Sequence, residues 1–338
     1  MQLKVVKQED RMPLMYLEAR PYIGEVISRP LQNLVNESSN VAAPALRTPV
    51  VPPRLLVSVA VYEDCWYLTW LFEHLSKLLA KDTVVVVHLN AFTNYDKREL
   101  PKLDNFYYNT NRYKVRTFTG TISMAHLDNI WFATKYISRE FSHVLLLSSN
   151  TVLLRGGFEE HIFYHEASDR LVPTWEYAVK PFPMLGDMPQ GVMPHFQLLA
   201  ALIDPRILEK TLGFYPVDII CQGFHEGSFM PYWVWMGFLD RLQQGGLLEL
   251  YHDANFQIEH FMPQTYAYYK YRRPSEEFGS VPIVDFVWSD EHALNMTKYK
   301  EIKEGRLDGI FGMKIHGTLL RDKTDFRVRN LIDTVLKS

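Results

Sequence analysis

Two runs, Leu55-Leu-Val-Ser-Val-Ala-Val-Tyr62 and Thr83-Val-Val-Val-Val-His-Leu-Asn90, are apolar at nearly every position. A strand with one face in water alternates apolar and polar residues, because successive side chains point to opposite sides. Unbroken apolar runs suit strands covered on both faces, which is the situation in a parallel sheet layered by helices. Between the two runs, the apolar residues from Trp66 to Ala80 recur at helical spacing, so a strand, helix, strand crossover is expected. The segment Ser123 to Phe141 reads as a further helix and His143-Val-Leu-Leu-Leu-Ser-Ser149 as a further buried strand. The expected fold class is therefore α/β, with a central, mostly parallel sheet flanked by helices.

Ligands of open parallel sheets collect beyond the carboxyl ends of the strands. That rule selects Val61 and Tyr62-Glu63-Asp64 after the first strand, His88 and Asn90 at the end of the second, and Ser148-Ser149-Asn150-Thr151 after the later one. Ahead of this core, Asn36-Glu-Ser-Ser-Asn is followed by Pro44, Pro49, Pro52 and Pro53, so residues 1–53 read as an extended arm. Residues 54–338 read as a single domain.

With 47% hydrophobic and 14% aromatic residues among 338, the chain has enough apolar surface for a large core. A formal net charge of -3 removes the broad attraction on which non-specific nucleic-acid binding rests. Two cysteines, Cys65 and Cys221, make no disulfide framework and no zinc-site spacing, and both read as free thiols. No run approaches the ~20 apolar residues of a membrane span, and no secretory leader is legible, so a cytoplasmic location is expected. From Leu171 to Tyr271 the chain is rich in aromatic residues. Trp175, Tyr232 and Trp233 flank charged residues and prolines there, where aromatic faces stack on sugar rings. Residue by residue, core packing is the stronger reading of an aromatic at helical spacing.

Neither a GxGxxG nor a GxxxxGK[ST] phosphate loop occurs. A divalent cation on a diphosphate needs hard carboxylate ligands, but the position after the later strand reads Ser149-Asn150-Thr151. Cations are supplied instead by Lys314, Arg321, Lys323, Arg327 and Arg329. Arg offers phosphate a planar fork and Lys a compact charge. Interspersed Asp322, Asp325 and Asp333 also fit an ordinary salt-bridged surface. In Gln222-Gly-Phe-His-Glu226-Gly-Ser-Phe-Met-Pro-Tyr-Trp233, a carboxylate sits among small and aromatic residues. Partial desolvation there would make Glu226 a usable base. The competing reading is a carboxylate placed at a helix N-terminus for the dipole. Glu176 and Glu259 are the other candidate bases.

Taken in order, these segments resemble the core-2 and I-branching N-acetylglucosaminyltransferases. Val84-Val-Val-Val-His88-Leu-Asn90 is similar to that family's His-Val-Asp strand end, with Asn for Asp. Leu145-Leu-Leu-Ser-Ser-Asn150-Thr-Val-Leu-Leu154 resembles its Leu-Ser-Gly-x-Asp-x-Pro-Leu. His225-Glu226-Gly-Ser-Phe229 resembles its Asp-Glu-x-Phe-Phe, which precedes a helix and carries the base. Phe311 through Ile332 resembles its metal-replacing basic segment.

The resemblance implies a Rossmann-like nucleotide-sugar-binding fold of the GT-A type. Residues 54–155 would be its nucleotide-binding half and 156–338 its acceptor-binding and basic half. It implies an inverting, metal-independent glycosyltransferase that needs no cofactor beyond its nucleotide-diphosphate sugar donor, acting on a glycan or glycoconjugate acceptor. Glu226 would be the general base; Lys314, Arg321, Arg327 and Arg329 would hold the diphosphate. Val61, Tyr62, His88, Asn90 and Ser149 would line the nucleoside, and Trp175, Glu176, Tyr232 and Trp233 the acceptor. The alternatives are a retaining or metal-dependent transferase using Asp128, Asp187 or His252-Asp253, and a non-catalytic glycan-binding or scaffold protein of the same fold.

Overall fold

The computed structural model of the protein describes residues 53–93, 95–96, 98–109, 114–115, 121–164, 167–168, 213, 225–244, 262–271, 279–280, 283–287, 289, 291–315 and 319–337. In chain order they form β1 (Leu55–Val61), α1 (Cys65–Ser76), β2 (Val84–Leu89), β3 (Phe106–Asn109), α2 (Thr121–Tyr136), β4 (His143–Ser148), β5 (Thr151–Leu153), α3 (Phe158–Tyr164) and β6 (Ala167–Ser168). There follow β7 (Phe229–Pro231), α4 (Tyr232–Gln244), α5 (Met262–Tyr271), β8 (Gly279–Ser280) and β9 (Val284–Val287). A 3-10 turn at His292–Leu294, α6 (Met296–Lys303), β10 (Gly312–Ile315) and α7 (Arg327–Lys337) complete the order. The arm expected over residues 1–53 lies, up to Pro52, outside the described residues.

The central sheet runs β3-β2-β1-β4-β7. Strands β1 to β4 are parallel, and β7 joins β4 antiparallel. This is the mixed α/β layering expected from the apolar runs, since every residue of β1 and of β2 is buried. Leu55, Val57, Val59 and Val61 pack on one face with Tyr67, Leu68, Leu71 and Phe72 of α1. Leu56 and Ala60 pack on the other with Ile130 and Trp131 of α2 and Phe238 of α4. Each such apolar side chain contributes about 1.5–3 kcal/mol on burial.

Helix α1 ends at Ser76, short of the expected Ala80. The buried carboxylate of Glu159 accepts from Ala80 N at 2.8 Å and from Thr83 Oγ1 at 3.2 Å, turning the chain toward β2. Helix α2 ends at Tyr136, short of Phe141. There Ser138 N reaches back to Ala133 O and the Ser138 hydroxyl takes Glu140 N. Ser58, a polar residue in a doubly covered strand, is matched by a buried polar layer from α2. Its Oγ lies 2.9 Å from His126 Nδ1 and accepts from Asn129 Nδ2 at 3.1 Å. Asn129 Nδ2 also reaches Val59 O and Val86 O, while its Oδ1 accepts from Asn109.

A second sheet, β5-β10-β9, follows the carboxyl end of β4. Asn150 joins the two: its backbone carbonyl accepts from Ile315 N at 2.9 Å and its amide donates to Ile315 O at 3.1 Å. The chain after β10 is strapped down by Arg329 of α7. This guanidinium is stacked over Trp66 of α1 and over Phe326, and donates to the carbonyls of Leu320, Asp322 and Asp325 at 2.5, 2.6 and 3.2 Å. Replacing Arg329 by Met removes the donors and leaves buried carbonyls without partners, so unfolding in urea should show a loss of about 2–3 kcal/mol. Replacing Arg327, which is exposed and paired with Asp325, should leave the midpoint unchanged.

Candidate functional site at the carboxyl end of the sheet

Strand β1 pairs with both β2 and β4, so chain order reverses at the carboxyl ends of β1 and β4. Such a reversal opens the crevice in which doubly wound sheets bind ligands. Residues 62–64 arrive there from β1, residues 149–150 from β4, and residues 225–228 from the turn before β7. The end of β10 and the 319–325 turn close the set.

The turn carrying Glu226 is held against β4. Gly227 N donates to Leu146 O at 2.7 Å, Leu146 N donates to Ser228 O at 2.9 Å, and Ser228 Oγ caps His225 O at 2.8 Å. Gly227 has φ 75°, and a Cβ there would stand 2.6 Å from Val284 Cγ2, so the bend requires glycine. Strand β7 stands between Glu226 and α4, which removes the reading of Glu226 as a carboxylate set on that helix's dipole.

Glu226 is 3% exposed and its Oε1 contacts Lys314 Nζ in a direct ion pair. The same oxygen lies 3.0 Å from His225 Nε2. Lys314 is brought to this point by β10, whose register sets it beside Thr151 of β5. Burial, and then the neighbouring positive Arg321, push the Lys314 ammonium down to about 7. The Glu226 carboxylate is the group that opposes this loss of charge. Beneath the pair, the His225 ring lies 5.8 Å from that of His126. Burial first, with the positive potential of His225 and Lys314, holds His126 well below the usual imidazole range, so it is neutral. A second ion pair sits at the end of β1, where Arg321 Nη1 donates to Glu63 Oε1 at 3.0 Å. The other oxygen of Glu63 accepts from Tyr62 N at 3.1 Å.

Of the cations singled out in the sequence, Lys314 and Arg321 reach the crevice. Arg329 does not, because its guanidinium is committed to three backbone carbonyls, and Arg327 folds back on Asp325 with Nη2 to Oδ2 at 2.6 Å. Of the expected nucleoside lining, Val61 is buried against α1, and Tyr62 is half-buried, its carbonyl accepting from Thr93 Oγ1. His88 is fully buried and, by alternation with Val84 and Val86, faces the α2 layer. The Asn90 amide bridges both backbone groups of Val115, at 2.8 and 3.2 Å. Ser149 offers its carbonyl to Tyr67 OH at 2.6 Å.

Tyr232 and Trp233 are placed elsewhere. Tyr232 N donates to Ser142 O, at the amino end of β4, and its hydroxyl is 2.6 Å from Thr134 Oγ1 in the core. The rise of a strand puts them about 15–20 Å from Glu226, so the structure does not bring them together with it. Trp175, Glu176, Asp187, His252, Asp253, Glu259 and His260 lie outside the described residues. Asp128 is buried and accepts from Asn109 Nδ2 at 2.6 Å. The strand-end rule selects Glu63 without giving it a charge partner, and nothing in the sequence assigns a role to His225 or His126. A lone Ser58 inside a doubly buried strand is the signal for His126, since a buried hydroxyl demands a buried partner.

No protein-family model matches the sequence, and none of the curated proteins matches it. Among solved structures, the chain is similar to the apo structure of the WbbM bifunctional glycosyltransferase, with 13% identity and a TM-score of 0.37. The match covers 86% of this chain and 51% of that one, so this chain spans about half the length of that protein.

Proposed function

We propose that the protein is an inverting glycosyltransferase that moves a sugar from a nucleotide-diphosphate sugar to a hydroxyl of a glycan. The observation that carries this reading is the meeting of one buried carboxylate and two cations at the switch point of a parallel sheet: Glu226, Lys314 and Arg321. In the displacement, the acceptor oxygen attacks the anomeric carbon while Glu226 takes its proton. The bond from that carbon to the diphosphate breaks with its electron pair on the departing oxygen. Lys314 and Arg321 stabilise the charge that develops there, with fixed positions and little water to reorganise.

The proposed site is metal-independent, because the place where a carboxylate pair would hold a cation reads Ser149-Asn150-Thr151. The nucleoside would lie over the ends of β1 and β2, beside Tyr62 and the turn after Asn90. Trp175 and Glu176 remain the proposed acceptor contacts, and the diphosphate set narrows to Lys314 and Arg321. No helix among the described residues is long and apolar enough to cross a membrane.

Screening UDP- and GDP-sugars for transfer to oligosaccharide acceptors tests the reading, and the anomeric configuration of the product by NMR tests inversion. Glu226→Gln should lower kcat about 10²–10⁴-fold without weakening donor binding. A fully active variant removes Glu226 from the chemistry. EDTA should leave turnover unchanged; restoration of an EDTA-killed reaction by Mn²⁺ or Mg²⁺ would overturn metal independence.

The pH dependence follows from Lys314. Its ammonium, lowered to about 7, is charged below that pH and lost above it. Donor affinity should therefore weaken by up to about tenfold per unit as the pH rises above 7. Donor KM measured across that range checks this, and a flat profile would take Lys314 off the diphosphate.

A further inference from the structure

Each cation assigned to the diphosphate already has a carboxylate partner, Lys314 with Glu226 and Arg321 with Glu63. The two pairs together are neutral, so these four side chains present no open positive field to an incoming anion. Lys314 has three N–H donors but one charge, so holding a diphosphate while staying closed on Glu226 Oε1 would set two anions against each other with a single cation between them. Oε1 of the general base is correspondingly engaged, by Lys314 and by His225.

Resting on the transferase reading above, we propose that Lys314 is exchanged between Glu226 in the free protein and the diphosphate in the donor complex, so that seating the donor releases the base. The charged and titratable groups that face this exchange, among the described residues, are His225 from the same turn, His126 from α2, and Arg321 with Glu63 from the far side of the crevice. His126 is neutral and supplies no counter-charge. Once Lys314 leaves, Glu226 is a buried carboxylate beside a dianion, and both circumstances favour its protonated form. At acidic pH donor binding then draws a proton from solvent onto Glu226, whereas at higher pH the released carboxylate stays ionised and takes its proton from the acceptor. A carboxylate whose affinity for protons has risen is also the stronger base toward an acceptor hydroxyl. The exchange thus favours an order of binding in which the donor precedes the acceptor.

Titration calorimetry of the full chain at about pH 6, in two buffers of different ionisation enthalpy, reads the proton balance directly. UDP-glucose, UDP-N-acetylglucosamine and GDP-mannose serve as probes, because their diphosphate diesters stay fully ionised at that pH and add no proton of their own. Lys314 is largely protonated there, so the groups left to take a proton are Glu226 and the His225 beside it, which the Glu226→Gln variant tells apart. Net proton uptake is expected on binding whichever probe the protein accepts. In Glu226→Gln, where no carboxylate competes for Lys314, the same probe should bind at least ~5-fold more tightly and with no uptake. The wild-type measurement stands by itself if the variant does not fold. A probe that binds the wild-type protein without proton uptake overturns the exchange and leaves the transferase reading in place. Failure of every probe to bind sinks the transferase reading together with the exchange.

Discussion

Strand β1 has no face in water, and the rest of the structure is arranged around that constraint. Its odd-numbered residues pack against α1 and its even-numbered ones against α2 and α4, so helices must cover both sides of the sheet. Because β1 pairs in parallel with β2 on one side and β4 on the other, its carboxyl end is the place where the chain order reverses. The crevice with the ion pairs is a consequence of that reversal. The same double burial makes Ser58 costly unless satisfied, and the layer of His126, Asn129 and Asn109 answers it. A slip of α2 by one residue against the sheet would leave several of these groups without partners. The polar layer therefore fixes the register on which His126, and above it His225, depend.

Strands β1, β2 and β4 are legible in the sequence because nothing polar interrupts a strand covered on both faces. Strands β9 and β10 are not legible, since Val284–Val287 and Gly312–Ile315 are short and carry Asp285 and Lys314. They become strands because β5 and Asn150 offer them an edge to join. The Arg321–Glu63 pair spans 258 residues of sequence, a separation at which no spacing argument operates. Arg329 reads as one more cation in a basic stretch until the carbonyls of Leu320, Asp322 and Asp325 are seen to converge on it. Trp233 shows the converse: it follows Glu226 closely in sequence, but the extended strand β7 between them carries the two toward opposite ends of β4.

What remains is the relation between the amide at position 150 and the cation at position 314. Asn150 uses both ends of its side chain: the NH₂ donates to Ile315 O, and Oδ1 accepts from Ser148 Oγ at 2.7 Å. An aspartate in the same place would have no donor for Ile315 O and would set two oxygens against each other. The amide is thus the residue type that allows the end of β10 to dock on the turn after β4, and docking β10 is what delivers Lys314 beside Glu226. A carboxylate at this point of an α/β sheet suits recruitment of a divalent cation from solution. Here the corresponding position recruits a strand that brings its own cation. The amide in one segment and the buried lysine in another are then two halves of one structural arrangement.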